Sequence, residues 1–407
     1  MNTGCDVLIV GGGLVGASLA RALRGSTHRV ELIEAHPLDD ARQPCYDDRS
    51  VALSWGSRRI LEGLDLWPQL DGRIEPIKTI HISDRGHFGA TRLRHFEEGV
   101  EALGYVAENR VLGEVLYRGL QQQRGLVMHC PARLLGLNLL AEHVTATVEQ
   151  GGRESTISAR LLVAADGVAS QVRELLHIGA AVQDYGQSAV IANITPGIPH
   201  GNVAYERFTD SGPLAMLPMT GNRCAVVWTV PTAQARQLLA LKDAAFLDQL
   251  QQRFGYRLGV LKKTGRRQLY PLTLTESTQL VRGRAVIVGN AAHTIHPVAG
   301  QGFNLALRDI AMLAELIHAA DDPGAANLLQ TYVEAREQDA KRVYRFTDAL
   351  VKIFSNSYGP LGHARAAGLV AVGLVPELRH WLAQQSMGLS GRQSRLGRGL
   401  PAGVEHG

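Results

Sequence analysis

The sequence predicts an α/β fold: a parallel sheet flanked by helices, a second domain of antiparallel sheet, and a helical C-terminal region. Three observations predict it. An apolar strand runs into a glycine turn and a helix near the N-terminus. Two later apolar strands end in turn-and-helix junctions after Ala164 and Val288. Four alternating or apolar stretches lie between those two junctions.

The first strand, residues 6–10, is short, apolar and β-branched, and leads through Gly11, Gly12, Gly13, Leu14, Val15 and Gly16 into a helical pattern over 17–23. In this Rossmann-type arrangement Gly11 permits the tight turn. Gly13 lets a pyrophosphate approach the backbone at the helix N-terminus, and Gly16 lets helix and strand pack closely. A second strand over 29–33 ends at Glu34. An acid there, about 20 residues beyond the glycines, suits a ribose hydroxyl pair and repels a 2′-phosphate, which favours FAD or NAD over NADP at this site.

The second junction follows a buried strand over 159–164 and reads Ala165-Asp166-Gly167-Val-Ala-Ser170-Gln-Val-Arg173. Gly167 permits a turn that a side chain would block, and Asp166 can accept backbone donors at the next helix start; an Asx-type turn without a ligand is the other reading. The third junction runs from Ala285 through Gly289, Asn290, His293, His296, Pro297, Gly300, Gln301 and Gly302 to Asn304. Phe303, Leu307, Ile310, Ala314 and Ile317 then recur at helical spacing. Gly300 and Gly302 leave the helix's first N–H groups open to an anion.

Together these motifs resemble the p-hydroxybenzoate hydroxylase-like flavoprotein monooxygenases, whose D-G-x-x-S-x-V-R signature matches Asp166 to Arg173. The resemblance implies FAD as cofactor, with O2 and NAD(P)H as co-substrates, and lays the 289–304 segment against the flavin ring. It assigns cofactor contacts to Gly11, Gly13, Gly16, Glu34, Asp166, Gly167, Asn290, Pro297, Gly300, Gly302 and Asn304. It adds Arg49 and Arg110, which by their acidic neighbours alone read as surface ion pairs. Where the family has Gly-Asp, this chain has Gly289-Asn290, which can hydrogen-bond a ribityl hydroxyl but brings no charge. With one G-x-G-x-x-G only, nicotinamide would visit transiently; reduced flavin would capture O2 as a C4a-hydroperoxide, whose distal oxygen passes to an electron-rich phenol.

Ser83 to His87, Tyr205 to Thr209, Gly212 to Pro218 and His296 to Asn304 are similar to the ubiquinone-pathway hydroxylases, and most to those acting on 2-octaprenyl-6-methoxyphenol. That implies a polyprenylated phenol hydroxylated para to its hydroxyl, giving 2-octaprenyl-6-methoxy-1,4-benzoquinol, and membership of a multiprotein ubiquinone-biosynthesis complex. Leu214, Met216, Leu217 and Trp228 are the candidate substrate-pocket residues, or ordinary core. His296, beside Pro297 at the expected flavin edge, is the candidate catalytic group, or a residue that merely holds its loop. Another ring hydroxylase of the pathway, a flavin-dependent prenyl reductase, a halogenase and a non-catalytic flavoprotein subunit stay open.

The organisation expected is 1–75, 101–180 and 276–320 as three parts of the FAD-binding domain, 76–100 and 181–275 as the substrate domain, 321–390 as C-terminal helices, and 391–407 as a disordered basic tail. That tail is either solvated or in contact with anionic lipid beside the apolar run 366–375. A net charge of +4 from 42 basic and 38 acidic residues excludes a nucleic-acid partner read from charge. The four cysteines form no C-x-x-C pair, so no metal site and a reducing compartment are expected. No secretion signal or spanning run is legible, and a cytoplasmic protein, peripheral at most to the membrane, is expected.

Overall fold

The computed structural model describes residues 4–37, 49–295, 300–354 and 359–403. Its first sheet has Val281–Arg282, Ala285–Ile287, Arg153–Ala164, Gly4–Val10, Val30–Ile33 and Leu126–His129 in that spatial order, and the last five strands run parallel. An antiparallel hairpin, Arg133–Leu139 and Val144–Gln150, leans on the long Arg153–Ala164 strand. Parallel strands covered on both faces need apolar residues at successive positions. Val7 and Ile9 accordingly pack with the helices Leu14–Ala22, Asn109–Gln121 and Gln301–His318, while Leu8 and Val10 join the core under the hairpin.

The second sheet orders His293–Thr294, Gln268–Ser277, Ala180–Thr195, Arg223–Pro231, Gly212–Met219, Val203–Thr209, Thr79–Asp84 and Ala90–Arg94. It is antiparallel except where 79–84 runs parallel to 203–209. The helices Thr232–Ala240 and Asp243–Phe254 cover one face and seal a core of Leu214, Met216, Trp228, Phe246 and Phe254. A third, three-stranded sheet is Ser50–Ser54, Gly104–Glu108 and Glu75–Ile77.

Beyond the Gln301–His318 helix the chain forms a single long helix, Ala326–Phe354, the first of the C-terminal helices. After it come two shorter helices, Gly359–Leu374 and Pro376–Ser386, separate because Pro376 lacks the N–H and disfavours helical geometry at Val375. The disorder expected of the basic tail is corrected through residue 403. Leu396 and Ala402 are buried in the main core, the Arg395 N–H donates to Glu315 at 2.5 Å, and the Arg395 guanidinium donates to the carbonyls of Pro401 and Gly403.

One buried ion network joins the third junction to the helices behind it. His293 Nε2 lies 3.1 Å from Asp309 Oδ2, Arg336 Nε donates to Asp309 Oδ1 at 2.6 Å, and Asp339 bridges Arg336 and Arg308 at 2.8 and 2.9 Å. Burial alone would raise the Asp309 pKa, but Arg336 and His293 hold it below the ordinary aspartate range. A group depressed on folding stabilises the native state above its unfolded pKa and releases that stability as pH falls through the folded one. Asp309→Asn leaves the Arg336 charge half-compensated, and by the usual cost of breaking a buried pair it should lose ~3–5 kcal/mol. Thermal unfolding as a function of pH should show a deficit present at neutral pH that shrinks on acidification, as the wild-type carboxylate itself protonates.

Candidate active site

A cavity of about 1660 Å3 runs from the C-terminal end of the first sheet to the open face of the second. It exceeds the ~300–1,000 Å3 usual for a single small ligand. Its first end is built from the glycine turn. A side chain on Gly16 would sit 1.9 Å from the Gly11 carbonyl oxygen, so helix Leu14–Ala22 can rest on its strand only with glycine there. A side chain on Gly11, at φ +99°, would sit 2.5 Å from the Ala165 carbonyl oxygen. Gly13 differs: a Cβ there would meet nothing within 4 Å, since it borders the cavity just where the helix begins without a side-chain cap. Glu34 lines the same end, its carboxylate accepting from the Gly12 and His36 N–H groups at 2.7 Å each.

Asp166 and Gly167 meet these residues from the neighbouring strand end. Asp166 Oδ2 accepts from the Val172 N–H at 3.0 Å, while Oδ1 is buried with no partner. Burial raises the Asp166 pKa, opposed by bonds from the Ser170 hydroxyl and the Val172 N–H. An orphaned carboxylate oxygen beside an open glycine and an uncapped helix start is a polar cradle awaiting hydroxyl and phosphate groups, so the residues fit a dinucleotide. Arg173, at the end of the same motif, donates to the Ala291 carbonyl at 2.7 Å and so ties the second junction to the third. The motif's spacing carried that residue, but not this role.

At the third junction Asn290, Gly300 and Gly302 line the cavity, and the Gln301–His318 helix starts there from Gly300 with no capping side chain and no acid in its first turn. His296 and Pro297 lie outside the described residues. Asn304 lines the cavity, yet its amide is committed to protein: it accepts from the Ser54 N–H and the Ser57 hydroxyl and donates to the Ala52 and Gly300 carbonyls. It braces the loop, where a direct cofactor contact had been expected. Arg49 lines the cavity and stacks over Tyr270 at 5.0 Å. Arg110 does not: Asn109 faces the cavity, and the next residue on a helix turns about 100° away, leaving Arg110 exposed.

On the substrate sheet, strand alternation decides the lining. Ala215, Leu217 and Val227 face the cavity together with Ala189, Ile191, Ala204 and Ile82. Leu214, Met216 and Trp228 point the other way into the core, all at 1% exposure or less, which corrects three of the four expected pocket residues and keeps Leu217. Side chains two apart share a face and side chains one apart do not, so the four could never have lined one wall. The sequence reading missed Glu206, which stands on the cavity side amid these apolar residues. At the far end the cavity is bounded by Leu369, Val372, Trp381 and Leu382 from the two C-terminal helices.

The two kinds of glycine are separable by experiment. Gly13→Val should leave the protein folded with near wild-type thermal stability but colourless, because it fills the open cradle. Gly16→Ala should lower the unfolding temperature, because helix and strand must part.

The model of the FAD binding domain family matches residues 4–347. Ubiquinone hydroxylase UbiL of Rhodospirillum rubrum is 39% identical over 97% of this chain and 93% of its own length. The 3-demethoxyubiquinol 3-hydroxylase of Escherichia coli is 31% identical over 95% of this chain and 100% of its own length. Among solved structures, p-nitrophenol 4-monooxygenase PnpA from Pseudomonas putida superposes with a TM-score of 0.79 over 97% of this chain and 100% of its own, at 19% identity, and shares the fold. FAD is thus the cofactor of this chain, which belongs to the FAD binding domain family, among its flavin-dependent monooxygenases.

Proposed function

We propose that the protein hydroxylates the ring of a polyprenylated phenol in ubiquinone biosynthesis, with 2-octaprenyl-6-methoxyphenol as substrate and 2-octaprenyl-6-methoxy-1,4-benzoquinol as product. The observation that carries this is the continuity of one cavity from a polar dinucleotide cradle to a wall of Ile82, Ala189, Ala215, Leu217 and Val227, and on to the C-terminal helices. A phenol ring fits the wall, and a prenyl chain fits the exit. The relatives' names support the pathway.

When bound, FAD supplies the redox chemistry and oxygen activation with electrons from NAD(P)H. The chain's residues do the rest. Gly13, Glu34, Asp166 and Gly167 hold the dinucleotide. Arg49, Asn290, Gly300 and Gly302 border the ring end, where the start of the Gln301–His318 helix favours negative charge. The apolar wall keeps water from the reacting ring. His296 and Pro297 retain their proposed place at the flavin edge.

The lipid contact proposed with this substrate uses Leu374, Leu378 and Trp381, which are 76%, 45% and 54% exposed. Trp381 also lines the cavity, so a prenyl chain leaving there would pass directly into an apolar phase. Among the described residues no helix is long and apolar enough to cross a membrane, so the contact would be a surface one.

Flavin-loaded protein given NAD(P)H, labelled O2 and a short-chain 2-prenyl-6-methoxyphenol should form a benzoquinol carrying one labelled oxygen. NAD(P)H oxidation with no label in the product would reject hydroxylation in favour of a reductase. Leu217→Asp should weaken phenol binding at least tenfold with little loss of stability, whereas Leu214→Ala, in the core, should cost ~2–5 kcal/mol of stability and leave affinity nearly intact. Leu378→Ser combined with Trp381→Ser should reduce sedimentation with phospholipid vesicles.

A further inference from the structure

Glu206 is the acidic residue that the substrate sheet presents to the cavity. It lies on Val203–Thr209, paired with Ile82 on one side and Ala215 on the other. Val227 and Ile191 continue the same row across the next two strands. The other acidic residues lining the cavity, Glu34 and Asp166, belong to the dinucleotide end and already accept backbone N–H groups. Glu206 is part-exposed, toward the cavity, and accepts no hydrogen bond and joins no ion pair among the described residues. A carboxyl group set in an apolar wall without a partner costs free energy in the unliganded protein, and a ligand hydroxyl is the partner that would recover it.

Its charge environment is equally bare. The neighbours facing the cavity from the adjoining strands are aliphatic, and the titratable group lining the cavity from Gln268–Ser277 is Tyr270, itself under Arg49. Alternation sends Tyr205 and Arg207 to the opposite face, where His81, Arg92 and Arg257 gather. None of those charges acts on Glu206, whose pKa burial alone lifts to about 7. At neutral pH the group is therefore poised between acceptor and acid, the range in which proton transfer is most useful.

We infer that Glu206 is the substrate-recognition residue of this site: its carboxylate accepts the hydrogen bond of the phenol hydroxyl, fixes which ring carbon faces the cofactor, and takes the hydroxyl proton. In that step the phenol O–H bond breaks, the carboxylate O–H bond forms, and the electron pair stays on the phenol oxygen to enrich the ring. The inference rests on the phenol-hydroxylase reading and adds to it the group that handles the proton.

The test compares flavin-loaded wild type with Glu206→Gln and Glu206→Asp, using a short-chain 2-prenyl-6-methoxyphenol as probe and perturbation of the flavin spectrum as the binding signal. Glu206→Gln should take up FAD as the wild type does, bind the phenol at least tenfold more weakly at pH 8, and lose the wild type's binding transition near neutral pH. Glu206→Asp should restore part of the affinity, and the methyl ether of the probe should bind wild type and Glu206→Gln alike. Equal phenol affinity and equal pH profiles in wild type and Glu206→Gln would overturn the role of Glu206 while leaving the hydroxylase reading in place. A wild type that takes up FAD but neither binds nor hydroxylates the phenol would overturn both.

Discussion

The close approach of helix Leu14–Ala22 to its own strand, possible only because Gly16 carries no side chain against the Gly11 carbonyl, is the constraint on which the site depends. It aims the helix start at the cavity and brings Gly13 to its edge. The same contact leaves Gly11 directly above Ala165, so the strand end that carries Asp166 can lie against it. Two junctions more than 150 residues apart in sequence thereby share one cradle. The third is drawn in by Arg173, whose guanidinium holds the Ala291 carbonyl.

The second sheet shows how one strand pattern can make both a core and a cavity. Its helix-covered face carries bulk: Trp228, Met216, Leu214 and Tyr205 press toward Phe246 and Phe254. Its open face carries alanine at 189, 204 and 215, and the missing volume there is the room a ring needs. Aromatic bulk on one side and alanines interspersed among aliphatics on the other make the packing asymmetric. A single polar group on the small-residue side then has an outsized effect, because no water-rich surface competes for it.

Much of this was legible in the sequence, and the failures have physical causes. The three junctions could be read because each depends on local backbone geometry that few residues supply. Sheet phase was harder: Leu214, Met216, Leu217 and Trp228 look alike in composition, and only their parity separates wall from core. Glu206 was passed over because a glutamate in a strand ordinarily marks the solvent face, yet it shares parity with Ala204 and Phe208, and that was the signal available. Arg110 and Asn304 show a different limit, since whether a polar side chain reaches a ligand or braces a neighbour depends on contacts up to 252 residues away.

The C-terminal residues illustrate how far that dependence extends. Their basic composition suggested a free tail, but hydrophobic contacts at Leu396 and Ala402 outweigh it, and the segment closes over helix Trp55–Gly63, where a side chain on Gly63 would collide with the Leu400 carbonyl. The other end of that helix is held by the Met387 carbonyl, which accepts from the Gly56 N–H at 2.8 Å. Ser54 and Ser57, at the helix start, both donate to Asn304, and Asn304 donates to the Gly300 carbonyl. The start of the Gln301–His318 helix at the cavity is thus positioned through a chain of contacts that ends in the last described residues. Removing those residues should loosen the Gly300 turn before it disturbs the sheet, because the sheet's own register does not pass through them.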